Sequence, residues 1–401
     1  MLTDYFEGVA VKRLSAVDAD PSRSHQHEFA GGHIRKLMGD GDRKNIPARF
    51  IWLNDEQEGV SEDGQVTWYD TRRDQPHRSA EYRLYYYANS VTDLMKEGDA
   101  FFIAVCSDGA LMIIITPKDS TIQNQLVWLF GLKEQPSFTF NLGEFVGEGN
   151  SRLDFAARYI LDELGIDAED PESNGLDGIL EQFGRRFPGT KAFSEAARQS
   201  LPHVSALDNP DEVLMAWIER EELLFRRLER HVVAERLRAG FVAAGDADVD
   251  GFIAFSLSVQ NRRKSRAGQS LENHLEALFS AREIRFGRGV ETENRNKPDF
   301  LFPGGGEYRN PLFPTARLTM LGAKSTCKDR WRQILSEAAR IEDKHLLTFE
   351  PGISENQTDE MRSKRVQLVL PARLHETYRI AQRPWLMDVS SFIATVRERQ
   401  A

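Results

Sequence analysis

Short runs of apolar and β-branched residues, separated by turn residues, occur throughout the first 170 positions of the chain. The clearest runs are Arg49–Leu53, Tyr82–Tyr87, Phe101–Cys106 and Leu111–Thr116. The Asp108-Gly109 pair between the last two runs is typical of a tight hairpin turn. Several short strands joined by turns predict a barrel-like β-domain over residues 1–170, with a helix near 151–164 and an acidic, turn-rich linker at 171–190.

Helical periodicity replaces this strand pattern from residue 191 onward. We expect Pro210 to open a helix that reaches about Ala239, a second helix over 251–259, and a third with Ser270 as its N-cap. Strands and helices should then alternate, with strands near 299–302, 318–324, 345–349 and 366–370 and helices near 328–342, 355–364 and 389–397. This alternation predicts a mixed sheet flanked by helices over residues 191–401, and thus an α+β protein of two domains.

Composition narrows the class of protein. A chain of 401 residues is long enough for two domains, each with its own core. It has no apolar run that could span a membrane, no secretory signal pattern, and only two cysteines, Cys106 and Cys327, so we expect a cytoplasmic protein without membrane contact. The net charge of −10 argues against a nonspecific nucleic-acid coat, but basic clusters at 262–266 and 324–332 are compatible with a DNA-binding cleft.

The predicted C-terminal strands carry residues suited to metal-dependent chemistry. Asp299 begins one strand, Lys324 ends the next, and Glu337 lies on the predicted helix 328–342, where it should face the same cleft as Arg330. Carboxylates are the ligands that Mg2+ prefers, and a lysine can orient water and stabilise a phosphate, so the set suits phosphodiester hydrolysis. Taken alone, a turn aspartate, a solvated lysine and a surface glutamate remain the simpler interpretation.

The tripeptide Lys328-Asp329-Arg330 follows the second of these strands. Lysine and arginine donate to guanine and aspartate accepts from cytosine, so the tripeptide is suited to reading adjacent G·C pairs in a major groove. The alternative is an ordinary solvated first helical turn, in which an aspartate is favoured by the helix dipole.

Three sequence blocks closely resemble the EcoRII-like type IIE restriction endonucleases, with a near-continuous match over roughly 255–345. The blocks are Asn261-Arg262-Arg263-Lys264-Ser265-Arg266-Ala267-Gly268-Gln269-Ser270-Leu271-Glu272, Lys297-Pro298-Asp299-Phe300-Leu301-Phe302-Pro303 and Lys324-Ser325-Thr326-Cys327-Lys328-Asp329-Arg330-Trp331-Arg332-Gln333-Ile334-Leu335. For residues 191–401 the resemblance implies an α/β/α PD-(D/E)XK nuclease domain with a mixed central sheet. It also implies Mg2+-dependent double-strand DNA cleavage at a CCWGG-like site, leaving 5′-phosphates, by a homodimer.

The resemblance also implies roles for individual residues. Asp299, Lys324, Glu337 and Glu272 would be catalytic, with Asp299 and Glu337 as the Mg2+ ligands. Glu337 would be a displaced ligand, because Gly322 stands two residues before Lys324, where the standard motif has its second acid. Seven further residues would contact target DNA: Lys328, Asp329, Arg330, Arg263, Lys264, Trp217 and Arg220. Of these, Trp217 or Arg220 would line a pocket for a flipped base.

The N-terminal part resembles the effector-binding domain of the same enzymes, a pseudobarrel similar to plant B3 domains. This resemblance implies that effector DNA contacts His25, Arg78, Glu81 and Arg83, and that the domain inhibits the nuclease until a second DNA site binds. One family tyrosine has no match, since Phe29 and Ala30 stand at that place. Implied partners are target and effector duplexes, a second copy of the chain and, genetically, a cognate DNA cytosine methyltransferase.

Two other functions stay open. The chain could be a sequence-specific DNA-binding protein with a nuclease-like fold that does not cleave, although all four implied catalytic side chains are present. A nuclease acting on RNA or single strands is disfavoured, because A-form RNA hides the groove that Lys328-Asp329-Arg330 would read.

Overall fold

The computed structural model describes residues 1–20, 22–23, 27–32, 34–55, 59–75, 77–132, 136–143, 155–168, 178, 183–184, 187–243 and 246–401. The chain divides into two compact units. Unit 1 holds Met1–Asp167, Pro351–Thr358 and Thr377–Arg379, and unit 2 holds Ala168–Glu350, Asp359–Glu376 and Ile380–Ala401. Most of the linker predicted at 171–190 lies outside the described residues.

Unit 1 is built on one eight-stranded mixed sheet. Its strands are β1 (Phe6–Arg13), β2 (Glu28–Ala30), β3 (Arg43–Trp52), β4 (Val60–Asp70), β5 (Tyr82–Tyr86), β6 (Ala100–Cys106), β7 (Leu111–Thr116) and β8 (Asn141–Gly143). Their order is β2-β5-β4-β3-β7-β6-β1-β8, and β3 and β7 are parallel while the other neighbours are antiparallel. The β-rich prediction for the N-terminal part is confirmed, and a B3-like pseudobarrel stays a prediction.

The continuous apolar runs of β6 and β7 are explained by burial on both faces of this sheet. On one face Phe101 and Ile113 join a core that also contains Phe50 and Trp68. On the other face Phe102 contacts Phe130, which follows the helix Thr121–Leu129. The Asp108-Gly109 turn joins the two strands as predicted, because a hairpin keeps both apolar runs in register.

The helices of unit 1 are short. They are α1 (Ala16–Ala19), α2 (Arg35–Met38), α3 (Thr121–Leu129) and α4 (Phe155–Glu163), the last of which confirms the helix predicted near 151–164. Two segments from the C-terminal sequence fold with them. The Ser354 N–H donates to Thr121 Oγ1 at 3.1 Å, and Arg379 Nη2 donates to Asn124 Oδ1 at 2.7 Å. A linear sequence pattern does not reveal such packing.

Unit 2 begins with long helices, α5 (Thr190–Gln199), α6 (Pro210–Ala239) and α7 (Val249–Ala281). The predicted bounds of α6 are confirmed: Pro210 occupies its first turn and the Asn209 side chain accepts from two backbone N–H groups. The predicted division of α7 is wrong. It is one continuous helix of 33 residues that starts after Asp248, and Ser270 is buried within it.

The continuity of α7 has a physical cause in its pairing with α6. Arg263 Nε donates to Glu229 Oε2 at 2.6 Å, and Arg266 pairs with Glu221 and Glu222. These ion pairs cover the stretch where the break was expected. A lone glycine there, Gly268, costs a helix only about 1 kcal/mol, which tertiary packing overrides.

A five-stranded mixed sheet forms the second half of unit 2. After a small ribbon, β9 (Val242–Ala243) and β10 (Asp246–Ala247), its strands are β11 (Gly287–Arg288), β12 (Phe300–Phe302), β13 (Thr319–Lys324), β14 (Lys344–Thr348) and β15 (Val366–Val369), in that order. The pairs β11–β12 and β12–β13 are antiparallel, and the pairs β13–β14 and β14–β15 are parallel. The remaining α-helices are α8 (Gly305–Arg309), α9 (Glu355–Ser363) and α10 (Val389–Gln400). The predicted mixed sheet with helices is confirmed.

The segment after β13 differs from the predicted α-helix at 328–342. It is a 3₁₀ helix over Lys328–Ser336, after which Glu337 is extended and Ala338 has a φ of 47°. The expected stripe with Arg330 and Glu337 on one α-helical face is therefore wrong. The buried Lys344 explains the change, because its ammonium group binds the carbonyl oxygens of Glu337, Ala338 and Ile341.

Among the described residues, no helix has both the length and the apolar composition needed to cross a membrane.

Candidate active site

Asp299 and Lys324 meet at one end of the antiparallel pair β12 and β13. Asp299 directly precedes β12, and Lys324 is the last residue of β13. Asp299 Oδ2 accepts from the Ala323 N–H at 2.7 Å and from Lys324 Nζ at 2.9 Å. The side chains are 14% and 19% exposed, so the pair is sheltered but reachable. The structure thus joins the two residues that the strand pattern placed at adjacent strand ends.

Glu337 adds a second carboxylate beside this pair. Its Oε2 atom is buried and has no hydrogen-bond partner among the described residues. Burial raises the pKa of Glu337 to about 7, an effect that Lys324 opposes and Asp299 strengthens. Both the lysine and the aspartate therefore act on the Glu337 carboxyl group electrostatically.

Glu272 approaches the centre from α7. Its Oε2 atom accepts from Arg288 Nη2 at 2.9 Å and from Arg288 Nε at 3.2 Å. Burial raises the pKa of Glu272, and the like charge of Asp299 raises it further, while Arg288 and Lys324 lower it. The charges of Asp299 and Lys324 therefore act on both Glu337 and Glu272, the two other side chains that the resemblance suggested for catalysis.

The carboxylates of Asp299 and Glu337 fit a hard divalent cation. In the described part of the chain, no three His, Cys, Asp or Glu side chains are already arranged around a common metal position. Mg2+ does not need such a cage, because it is commonly bound by one or two carboxylates together with waters and substrate phosphates. The buried, unpaired oxygen of Glu337 and the raised pKa of its carboxyl group are what a cation would relieve.

Gly322 shows why the second acid is displaced in sequence. A Cβ atom built on Gly322 would lie 2.8 Å from Ile334 Cγ2 and 3.6 Å from Leu346 Cδ1. The Ile334 side chain of the 3₁₀ helix therefore fills the space that an acidic side chain would need. The acid that the resemblance implies in its place, Glu337, directly follows that helix.

Replacing Gly322 by alanine should destabilise the protein by about 1–3 kcal/mol, because it overpacks a filled interior position. Urea unfolding of the metal-free protein measures this change. Gly306→Ala is the matched control, since a Cβ atom at Gly306 meets nothing within 4 Å. Equal unfolding free energies for the two variants would show that Ile334 does not restrict position 322.

The sequence comparisons identify the part of the chain that holds this site. Residues 225–393 match the family described as EcoRII C terminal. This part of the chain is similar in sequence to that family. The type II restriction enzyme EcoRII of Escherichia coli is 45% identical over 218 residues, which are 54% of this chain and 52% of that enzyme. The chain thus aligns with about half the length of this curated relative.

Two solved structures were also found to be similar, at 18% sequence identity. They are metal-depleted Ecl18kI in complex with uncleaved DNA and with uncleaved, modified DNA. Their TM-scores are 0.44 and 0.43, and each match covers 57% of this chain and 84% of the other.

The residues expected to read DNA are only partly described in the EcoRII-like part. Lys328, Asp329 and Arg330 open the 3₁₀ helix four residues after Lys324, and their side chains lie outside the described set, as does that of Lys264. The helix start is held by the Cys327 N–H, which donates to Glu350. The base-reading role of the tripeptide stays a prediction.

The other expected DNA contacts have protein partners. The Arg263 side chain is half exposed and pairs with Glu229. Arg220 Nε donates to Ser200 Oγ at 2.8 Å. Both keep partial exposure, so a DNA contact by either arginine stays a prediction.

Trp217 does not have the environment that was expected of it. Its side chain is only 4% exposed, with its ring 5.7 Å from that of His274 and the Arg198 guanidinium 5.7 Å from its centroid. A tryptophan enclosed in this way has no free face for a flipped base. The Trp217 ring is enclosed in this structure, and its role beside a flipped base stays a prediction. Apolar spacing alone could not separate a core tryptophan from a pocket tryptophan.

The effector-binding residues predicted in unit 1 are partly brought together. Glu81 pairs with Arg72 and with Arg83, the latter at 2.5 Å. The hydrogen bond from Arg83 lowers the pKa of Glu81, and the charges of Arg72 and Arg78 act in the same direction. Arg72 was not expected, and His25 lies outside the described residues.

Two residues beside the candidate catalytic side chains belong to no motif in the sequence. Arg288 binds Glu272, and Lys344 binds three carbonyl oxygens around Glu337. Lys344 is buried, and burial lowers its pKa. Its partners are backbone oxygens, which have no sequence signature, so no local signal could have found it.

Proposed function

We propose that this protein is a type II restriction endonuclease that cleaves both strands of DNA at a specific site. The observation that carries the proposal is the meeting of Asp299, Lys324, Glu337 and Glu272 at one site. All four lie within the span that matches the EcoRII C-terminal family. The Escherichia coli relative is a type II restriction enzyme, which supports the same activity here.

In this proposal Asp299 and Glu337 would hold a Mg2+ ion, which would supply positive charge beside the scissile phosphate and lower the pKa of a bound water. Lys324 is bound to Asp299 Oδ2, and its ammonium group is thereby held where a scissile phosphate would approach. Its fixed charge stabilises the transition state without reorganisation. Glu272 adds a carboxylate on the opposite element, α7.

The target we propose is CCWGG-like, with cleavage that leaves 5′-phosphates. Lys328-Asp329-Arg330 would read the G·C pairs, since the 3₁₀ helix starts only four residues after Lys324. The described part of the chain contains one such centre, and two copies would place one centre at each strand of a duplex, so we propose a homodimer. A cognate DNA cytosine methyltransferase would protect the host sites.

We further propose that unit 1 binds an effector copy of the site and inhibits the nuclease until it does. Support comes from the cluster of Glu81 with Arg72, Arg78 and Arg83, since arginines are the usual phosphate and guanine contacts in DNA complexes. His25 is included on the resemblance alone.

The test is a digest of plasmids that carry no site, one site or several CCWGG sites, with Mg2+ or with a chelator. The proposal expects Mg2+-dependent cleavage of the multi-site plasmid, slower cleavage of the single-site plasmid, and fragment ends that map to the site. Adding a short duplex with the site should speed the single-site reaction. Specific binding without any cleavage would instead establish a DNA-binding protein with a nuclease-like fold.

A further inference from the structure

Arg288 binds the helix that carries Glu272. Its guanidinium group donates to three residues of α7: Glu272 Oε2 at 2.9 and 3.2 Å, Asn273 Oδ1 at 3.0 Å and Glu276 Oε2 at 2.6 Å. Glu272 and Glu276 are one helical turn apart, so one guanidinium spans both. The sequence motifs gave this arginine no role.

The backbone of Arg288 is tied to the strand that follows Asp299. Arg288 lies in β11 and pairs with Phe300, the first residue of β12. The N–H of the next residue, Gly289, donates to the Asp299 carbonyl oxygen at 3.1 Å. Arg288 therefore connects the helix that carries Glu272 to the backbone that carries Asp299.

Glu272 needs such a partner because its surroundings disfavour its charge. The carboxylate is half-buried and faces the negative charge of Asp299. An unrestrained carboxylate would turn away from a like charge towards solvent. The planar fork of an arginine binds through two nitrogens and thereby sets the direction of the carboxylate as well as neutralising it.

We propose that Arg288 is a positioning residue of the nuclease centre, which holds the Glu272 carboxylate towards the Asp299–Lys324 pair. This inference rests on the proposed function. Arg288 then affects the rate of cleavage through Glu272, and Arg288 itself does not contact DNA.

The experiment measures single-turnover cleavage and DNA binding for Arg288→Met and Arg288→Lys. Loss of a residue that orients a catalytic ligand typically lowers activity 10–100-fold, so Arg288→Met should lower the cleavage rate by about that factor. Binding of the specific duplex in the absence of metal should change by less than about threefold. Arg288→Lys keeps the charge without the fork and should recover part of the rate.

Lys191→Met is the matched control. Lys191 pairs with Glu276 at 3.4 Å, and Arg288 binds the same glutamate. Lys191→Met therefore removes a positive charge from Glu276 without touching Glu272. Its cleavage rate should stay within about twofold of wild type, because exposed ion pairs contribute little. An equal loss in Lys191→Met and Arg288→Met would show a general charge effect and overturn the proposal.

A double-variant cycle separates positioning from a general structural role. If Arg288 acts through Glu272, the double variant Glu272→Gln/Arg288→Met should cleave no more slowly than Glu272→Gln alone. Multiplied losses, or an Arg288→Met enzyme as fast as wild type, would overturn the inference. If wild type itself does not cleave, the proposed function fails first and this inference falls with it. If Arg288→Met does not fold, the cycle is run with Arg288→Lys.

Discussion

Replacing Asp299 by alanine should lower Mg2+-dependent cleavage by about 1,000-fold or more while specific DNA binding is retained. The carboxylate has two functions that alanine cannot supply, a metal ligand and the acceptor for Lys324 Nζ. Removing a negative charge beside the scissile phosphate should leave binding unchanged or tighter. Single-turnover cleavage with Mg2+ measures the loss of rate. A gel-shift assay in buffer without divalent metal ions measures DNA binding separately.

Asp343→Ala is the control for this variant. Asp343 is an exposed carboxylate of the same unit, and its side chain pairs with Arg365 at the surface. It should cleave like wild type. A rate for Asp299→Ala close to that of wild type would remove Asp299 from the catalytic set, and loss of binding together with cleavage would indicate a folding defect.

Glu337→Gln should have two opposite effects. Cleavage should fall by about 100-fold or more, because an amide is a poor ligand for Mg2+ and cannot balance its charge. The free energy of unfolding of the metal-free variant at about pH 8 should nevertheless exceed that of wild type by roughly 1–2 kcal/mol. This value is kept small because solvent partly screens the Glu337 carboxylate. A catalytic side chain whose removal stabilises the fold is expected where a carboxylate is buried without a partner.

The sign of the stability effect follows from proton binding. Glu337 has a pKa of about 7 in the folded protein against an ordinary value of 4.5. Between these values the folded state holds a proton that the unfolded chain has lost, so the wild type loses stability as the pH rises through this range. Glutamine does not titrate. The difference between Glu337→Gln and wild type should therefore be largest above pH 7 and shrink towards pH 5.

Urea unfolding with a chelator at about pH 5 and pH 8 measures this difference. Glu342→Gln serves as the control, because Glu342 is exposed and pairs with Arg365 on the surface. If Glu337→Gln is less stable than wild type at pH 8, then Glu337 has a stabilising partner and the interpretation of its buried oxygen is wrong. Added Mg2+ should stabilise wild type more than the variant.

Local sequence pattern was sufficient wherever the physical cause is local. The bounds of α6 follow from Asn209 and Pro210 at its start, and β12 and β13 follow from their apolar runs. Asp299 and Lys324 stand at two predicted strand ends, but only the structure shows that β12 and β13 are antiparallel neighbours, which brings those ends together. The motif resemblance then supplied the chemistry of the pair.

Features set by distant side chains could not be predicted in this way. The segment 328–342 has a helical pattern, but Lys344 binds the carbonyl oxygens around Glu337 and ends the helix early. Trp217 has the spacing of a helix face, and only packing against His274 shows that the face is buried. The two C-terminal segments that fold with unit 1 gave no sequence signal either.

Local sequence therefore predicts several strands, helix α6 and the strand-end positions of Asp299 and Lys324, since these depend on neighbours in sequence. Three-dimensional packing brings those two side chains into contact. It also fills the space at Gly322 with Ile334 and binds the Glu272 carboxylate of α7 to Arg288 of β11. These contacts depend on volume and charge brought together by the fold, which linear spacing does not encode.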